Sequence, residues 1–395
     1  MTEPGLNISP DCPPRDEAHW PREPRAANPH YTHARIPSSN LLSANTMQSS
    51  EAFHAHDEQF QATLGSTPSL ELLLEKDYPF AHEAGIYIAA TRELFITSNK
   101  CTNADGTPDI KITRVNLSNN PVTADEITPD IPMGNGGVNW GADALICGQG
   151  TLDRPSGLYS MSVEAPYSSS LVIGDFLGRP FNSVNDVVVH SDGSIWFTDP
   201  TYGFEQGYRP DPALPSQVYR FKPGNGSIRA VADGFGHPNG ICFSPDEKTV
   251  YITDTDKQNG DGTIDHRKAS AMYDLLWKFC VANGWANLVR NTSSYAFDVS
   301  VYHGEPFLTN RRLFAATDAG IPDGIKCDLD GNVYSGCGDG IHVWSPGGVL
   351  LGRIRIDGGC ANFCFGKDGE IFALNEHRLW RVQLGAHVKG ALLGI

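Results

Sequence analysis

Residues 181–203, FNSVNDVVVHSDGSIWFTDPTYG, decide the fold. Two apolar, β-branched and aromatic runs flank the Asp-Gly turn in SDGS, the pattern of two antiparallel strands joined by a tight turn. Neither strand needs the Asn185-Asp186 pair at the head of the first run. Searching outward for repeats, short strand-like segments recur as ELFITS (93–98), ALICG (144–148), SIWFTD (194–199), TVYITD (249–254), NVYSG (332–336) and EIFAL (370–374). Several follow an Asp-Gly turn, and the first four start about 50 residues apart. Six sheet-sized units at that period predict an all-β, six-bladed β-propeller, in which each four-stranded sheet buries its faces against its neighbours.

The flanking regions read differently. Residues 1–55 are rich in Pro, Ser, Asn and charge without periodicity, and are expected to form a disordered leader ahead of a propeller catalytic domain at 56–395. The segment DKQNGDGTIDHRKASAMYDLLWKFCVANG (256–284) is expected to be a polar loop with a short helix or an extra strand pair. A net charge of -16, from 46 acidic and 30 basic residues, speaks against a nucleic-acid partner, which needs a basic face. No apolar run reaches the length of about 18 residues that a membrane span needs. The 9 cysteines are odd in number and scattered through strand-like segments, so they are expected to be buried thiols. The N-terminus lacks the basic start and apolar run of a secretory signal, so a cytoplasmic location is expected. A monomer or weak homo-oligomer is expected as well.

Placing polar residues in blade register answers the question of the Asn-Asp pair. Glu83 lies 11 residues before Leu94, Asn185 lies 10 before Ile195, Asn239 lies 11 before Val250, and Asp323 lies 10 before Val333. Asn, Asp and Gly are ordinary turn residues, and one such motif alone reads as a turn. Four in register, each leading into a strand, read as a ring about the propeller axis. Two carboxylates and two amide oxygens form a hard, oxygen-only shell suited to Ca²⁺ rather than zinc. Four protein ligands leave positions for water and substrate, which is the layout of a catalytic metal.

These residues carry a resemblance. DYPFAHEAGIYIAATRELFITSN, FNSVNDVVVHSDGSIWFTDPTYG, VADGFGHPNGICFSPDEKTVYITDTD and GIPDGIKCDLDGNVYSG resemble the family of senescence marker protein, gluconolactonase and luciferin-regenerating enzyme, and within it the fungal calcium-dependent lactonohydrolases. The resemblance covers about residues 60–375. It implies a six-bladed propeller with one axial Ca²⁺ that hydrolyses a small-molecule lactone. By motif, the metal-binding glutamate falls on Glu83, the two asparagines on Asn185 and Asn239, and the aspartate on Asp323. Asp323 would also orient or deprotonate the attacking water. Where sugar-lactone members carry an arginine two residues before the first asparagine, this chain has Ser183, which puts recognition of a polyhydroxy sugar acid in doubt.

Further candidates surround the ring. His82 and His237 flank proposed ligands and are candidate proton shuttles. Asn139, Ser183 and Tyr202 are candidate substrate-binding residues, and Asn135, Asn139 and Asn362 are assigned to the two remaining blades near the axis. Trp196 is expected in the interblade core, with Trp140 and Phe204 as further aromatic candidates for a pocket wall. No G-x-S-x-G elbow, P-loop, H-E-x-x-H or C-x-x-C motif is present. Two other readings stay open at this point: a non-hydrolytic, cyclase-like enzyme of secondary metabolism on the same scaffold, and a non-enzymatic binding propeller.

Overall fold

The computed structural model describes residues 46–47, 49–256 and 293–391. Six antiparallel sheets follow one another around an axis. Blade 1 comprises Glu83–Ile88, Glu93–Thr97, Ile112–Asn116 and Thr123–Ile127; blade 2 comprises Gly134–Trp140, Asp143–Gly148, Gly157–Met161 and Ser169–Ile173. Blade 3 is built from Val187–Val189, Ile195–Asp199, Gln217–Lys222 and Ser227–Ala232, and blade 4 from Pro238–Phe243, Thr249–Asp254, Ser293–Tyr302 and Glu305–Ala316. Blade 5 starts with Ile325–Cys327, Val333–Cys337, Gly340–Trp344 and Leu350–Arg355, and blade 6 with Asn362–Phe365, Glu370–Asn375 and Arg378–Gln383. The recurring segments seen in the sequence are the second strands of these blades. Their continuous burial reflects coverage on both faces.

The ring closes by exchange of chain ends. Ser69–Glu75 pairs with Arg378–Gln383 and supplies the fourth strand of blade 6, so both ends of the domain share one sheet and no blade is left half-built. Paired elements lie inside the segment expected as a leader: Phe53–Ala55 pairs with Leu350–Arg355, and Thr46–Met47 pairs with Ser69–Glu75. The physical reason is apolar burial, since Ala52, Phe53 and Phe60 pack with Ile354, Leu384 and Val382 where blades 5 and 6 meet. Residues 1–45 and all of the 256–284 segment beyond Asp256 lie outside the described residues.

Blade-to-blade contact is the core. Trp196 of blade 3 is fully buried against Phe243 of blade 4, edge to face with 5.3 Å between ring centroids. Its indole Nε1 donates to Ser194 Oγ at 3.0 Å, so the expected core role is met with no polar atom stranded. The seven cysteines among the described residues are all free thiols, and all but Cys101 are buried.

Candidate active site

Each blade begins its innermost strand at the same end of the axis, and at that point each carries one oxygen-bearing side chain. Glu83 opens blade 1, Asn135 and Asn239 are the second residues of their strands, Asn362 opens blade 6, and Asn185 and Asp323 precede theirs by two residues. The sequence count found four of these in one register, and the structure puts all six in one tier. Hydroxyls on the second strands tie the tier together from blade to blade. Thr97 Oγ1 donates to the Asn135 carbonyl at 3.0 Å, Thr198 Oγ1 to the Asn239 carbonyl at 2.7 Å, and Thr253 Oγ1 to the Asp323 carbonyl at 2.8 Å. In blades 2, 4 and 5 the residue after the ring position is glycine, held small by the same packing. A Cβ on Gly240 would sit 2.5 Å from the Asp323 carbonyl oxygen, and one on Gly324 2.2 Å from Asn362 Oδ1.

Inside this rigid tier, three buried oxygens have no hydrogen-bond partner: Asn185 Oδ1, Asn239 Oδ1 and Asp323 Oδ1. Stranding one such atom costs about 1–3 kcal/mol, so three together at one place call for a ligand. Glu83, 2 % exposed, completes the group, with Oε2 accepting from Asn362 Nδ2 at 2.7 Å. Burial pushes the Glu83 carboxyl up to about 8, with the Asp323 carboxylate adding to the rise. Burial likewise lifts Asp323 to about 6, opposed chiefly by His82. Two buried carboxylates that disfavour each other's ionisation, beside two amide oxygens aimed at nothing, have the donor chemistry of a hard divalent cation. The site is built from amides as much as from carboxylates, and no cluster of three or more His, Cys, Asp or Glu poised for a metal occurs among the described residues.

The rim holds two His–carboxylate pairs. His82 Nδ1 lies 2.7 Å from Glu376 Oε1, while His82 Nε2 faces Glu83 Oε1 at 4.0 Å. Burial acts to lower the His82 pKa, but the carboxylates of Glu376, Glu83 and Asp323 outweigh it and raise it to about 10. Asn99 Nδ2 steadies Glu376 at 3.2 Å. On the other side His237 Nε2 meets Glu205 Oε1 at 2.7 Å, and its ring stacks on Tyr202 at 4.9 Å and 13°. The Tyr202 hydroxyl bonds Thr255, and burial followed by the Asp323 charge holds the phenol protonated well above its ordinary range. Tyr202 and both histidines are thus gathered at the ring.

Two expected substrate residues are placed elsewhere. Ser183 is fully buried, its Oγ donating to Gln149 Oε1 at 3.1 Å and accepting from the Gly203 N–H at 3.1 Å. It fixes the helix Tyr202–Glu205 and has no exposed surface for a substrate. Asn139 is on the same strand as Asn135 but four residues on, about 13 Å down the axis at the usual strand rise. Its Nδ2 donates to the Tyr87 carbonyl at 2.9 Å, and it lines an apolar recess at the far end of the channel with Val187, Ile241 and Phe365. Of the aromatic candidates, Phe204 is 42 % exposed and Trp140 packs against the blade 3 core. Residues the sequence did not single out include Glu376, Glu205 and Lys326. Lys326 Nζ reaches Asp186 Oδ2 at 3.4 Å, which gives the second member of the Asn-Asp pair its partner.

Comparison with known proteins follows the same lines. Residues 150–260 match the family model described as SMP-30/gluconolactonase/LRE-like region. The chain carries an SMP-30/gluconolactonase/LRE-like region. That gluconolactonase-like stretch contains Asn185 and Asn239, with Glu83 and Asp323 on either side of it. The chain is 27 % identical over 369 residues to the lactonohydrolase oryL of Aspergillus oryzae, covering 90 % of this chain and 79 % of the relative. It is 28 % identical over 223 residues to a gluconolactonase of Zymomonas mobilis, covering 54 % of each. Among solved structures, a gluconolactonase from Xanthomonas campestris superposes with a TM-score of 0.64 at 26 % identity, over 84 % of this chain and 95 % of that one.

Proposed function

We propose that this chain hydrolyses a small-molecule lactone at the axial ring, with Ca²⁺ held by Glu83, Asn185, Asn239 and Asp323. The observation that carries the reading is the set of three unpartnered oxygens beside Glu83. Relatives named lactonohydrolase and gluconolactonase support cyclic-ester hydrolysis as the reaction class. Bound there, the ion would supply Lewis-acid polarisation of the lactone carbonyl and charge for the developing oxyanion.

The protein's own groups divide the remaining work. Asp323 holds a free Oδ1 toward the site, and as a carboxylate it accepts a proton from the attacking water. Water adds to the carbonyl carbon, the ring C–O bond breaks, and the proton held by Asp323 returns to the leaving alkoxide oxygen, giving a hydroxy acid. His82, locked by Glu376, stands beside Glu83 as the exit for protons to solvent. The neutral Tyr202 hydroxyl and the His237–Glu205 pair wall one side of the site and orient the substrate.

Elemental analysis of the purified protein, with hydrolysis of a lactone panel before and after chelation, tests the proposal. One Ca²⁺ per chain and activity that returns with Ca²⁺ is the expected result. Bound Ca²⁺ with no ring opening of any lactone would move the chemistry to a non-hydrolytic reaction, and absence of bound metal would overturn the ligand assignment.

A further inference from the structure

Directly beneath the ring lies a second charged pair, which the reaction proposed above does not use. Asp186 is 1 % exposed and follows the ring residue Asn185, at a position where blades 2, 4 and 5 carry glycine. Its Oδ1 accepts from the Val187 N–H at 2.9 Å and its Oδ2 from the Ile241 N–H of blade 4 at 3.2 Å. Lys326 starts on blade 5 and stretches past blade 4 to reach this carboxylate. Lys326 also lines the apolar recess below, so the same residue joins the recess to the carboxylate beside the ring.

The axis holds three carboxylates, Glu83 and Asp186 buried and Asp323 half-buried with its Oδ1 out of reach of solvent, and one ammonium, Lys326. Glu83 and Asp323 both feel the Asp186 charge, and Lys326 feels Asp186 and Glu83, so the four groups share one field. At the rim His82 and Glu376 face the same carboxylates but carry one positive and one negative charge and so leave the sum unchanged, and burial keeps the nearby Cys147 and Cys327 thiols protonated. With Glu83 and Asp323 ionised, three negative charges against one positive leave the charge that one divalent cation neutralises. The three unpartnered oxygens above the pair say where that cation goes.

We propose that Lys326 is the protein's internal counter-ion, a positioning residue that with Asp186 sets the axial charge so that the ring takes one divalent ion at a defined affinity. This rests on the metal reading above, and the test separates the two. Ca²⁺ binding is measured by equilibrium dialysis or calorimetry on the full chain, with thermal melts to verify folding. Asp186→Asn leaves an unbalanced ammonium below the ring and weakens Ca²⁺ binding by about tenfold, whereas Lys326→Met adds a net negative charge and tightens it by about tenfold. The double variant restores the net charge and returns to within about threefold of the unsubstituted chain. A merely structural pair gives a different pattern: both single variants bind more weakly and the double variant no better than either, which would overturn the proposal. If Lys326→Met does not fold, the comparison of Asp186→Asn with the double variant decides, because the double must bind Ca²⁺ more tightly. Failure of the unsubstituted chain to bind Ca²⁺ would overturn the ring assignment itself.

Discussion

The six inner strands have two ends, and the same strands behave oppositely at each. At the upper end, Asn185, Asn239 and Asp323 bury oxygens with no partner, and two carboxylates are pushed out of their ordinary range. A few residues further along, Val187, Ile241, Phe243 and Phe365 line an apolar recess with the buried thiols Cys242, Cys327 and Cys364. Local propensity does not separate the ends, since both belong to well-paired strands. The difference lies in what is left unsatisfied, and strain of that kind collects where a protein binds something. The upper end is built for a ligand and the lower end for packing.

The largest effect expected from this contrast is at Asp323. Asp323→Asn keeps an oxygen in the ring but removes the proton acceptor, and is expected to lower lactone turnover by about a thousandfold. The metal-free variant melts at a higher temperature than the unsubstituted chain, because one of two mutually repelling buried carboxylates is gone. Turnover within tenfold of the original would remove Asp323 from the water-activating role.

At the lower end the expected loss is in stability. Ile241 is 1 % exposed and packs with Trp196, Phe243 and Ile252, so Ile241→Ala is expected to cost about 2–5 kcal/mol in urea unfolding. Activity per folded molecule should hold. A variant as stable as the original but inactive would show that the two ends are not separable.

Solution pH distinguishes the ends more gently. Glu83 and Asp323 have folded pKa values raised above their ordinary 4.5 and 3.8, so each contributes stability at low pH that is lost as pH climbs through about 8 for Glu83 and about 6 for Asp323. The metal-free chain should therefore melt at progressively lower temperature from about pH 4 to about pH 8, and saturating Ca²⁺ should flatten that fall and release protons on binding at pH 7. Calorimetry in buffers of different ionisation enthalpy counts the protons. A flat melting profile without metal would mean that the two carboxylates do not share a dry site.

How much of this was legible in the sequence follows from chain geometry. The second strands announce themselves by Asp-Gly turns and apolar runs, so the blade count and the ring register could be read by counting residues. Contacts between blades could not. Lys326 finds Asp186 across 140 residues, and Glu376 finds His82 across 294, through sheet stacking that leaves no local pattern. The surroundings of Ser183 and Asn139 were hidden for related reasons. A hydroxyl near a ligand reads as a contact until its hydrogen bonds are seen to be used up, and an asparagine four residues along a ring strand reads as near the axis although the strand has carried it to the other mouth. Ala52 and Phe53 are too few to make a pattern inside the expected leader, yet they fill the seam between blades 5 and 6.

Asn139 provides the smallest and most discriminating check. Its side-chain bond to the Tyr87 carbonyl joins blade 2 to blade 1 at the lower end, and Asn139→Ala should cost about 1 kcal/mol of stability. Because the ring lies about 13 Å away along the strand, kcat and KM for a hydrolysed lactone should each stay within about twofold. The corresponding change in the same strand, Asn135→Ala, removes the Oδ1 that accepts from the Gly136 N–H inside the ring tier, and should weaken Ca²⁺ binding instead. If Asn139→Ala raised KM more than tenfold with stability intact, the substrate would have to reach the lower mouth, and the division of the axis into a reactive end and a packed end would fail.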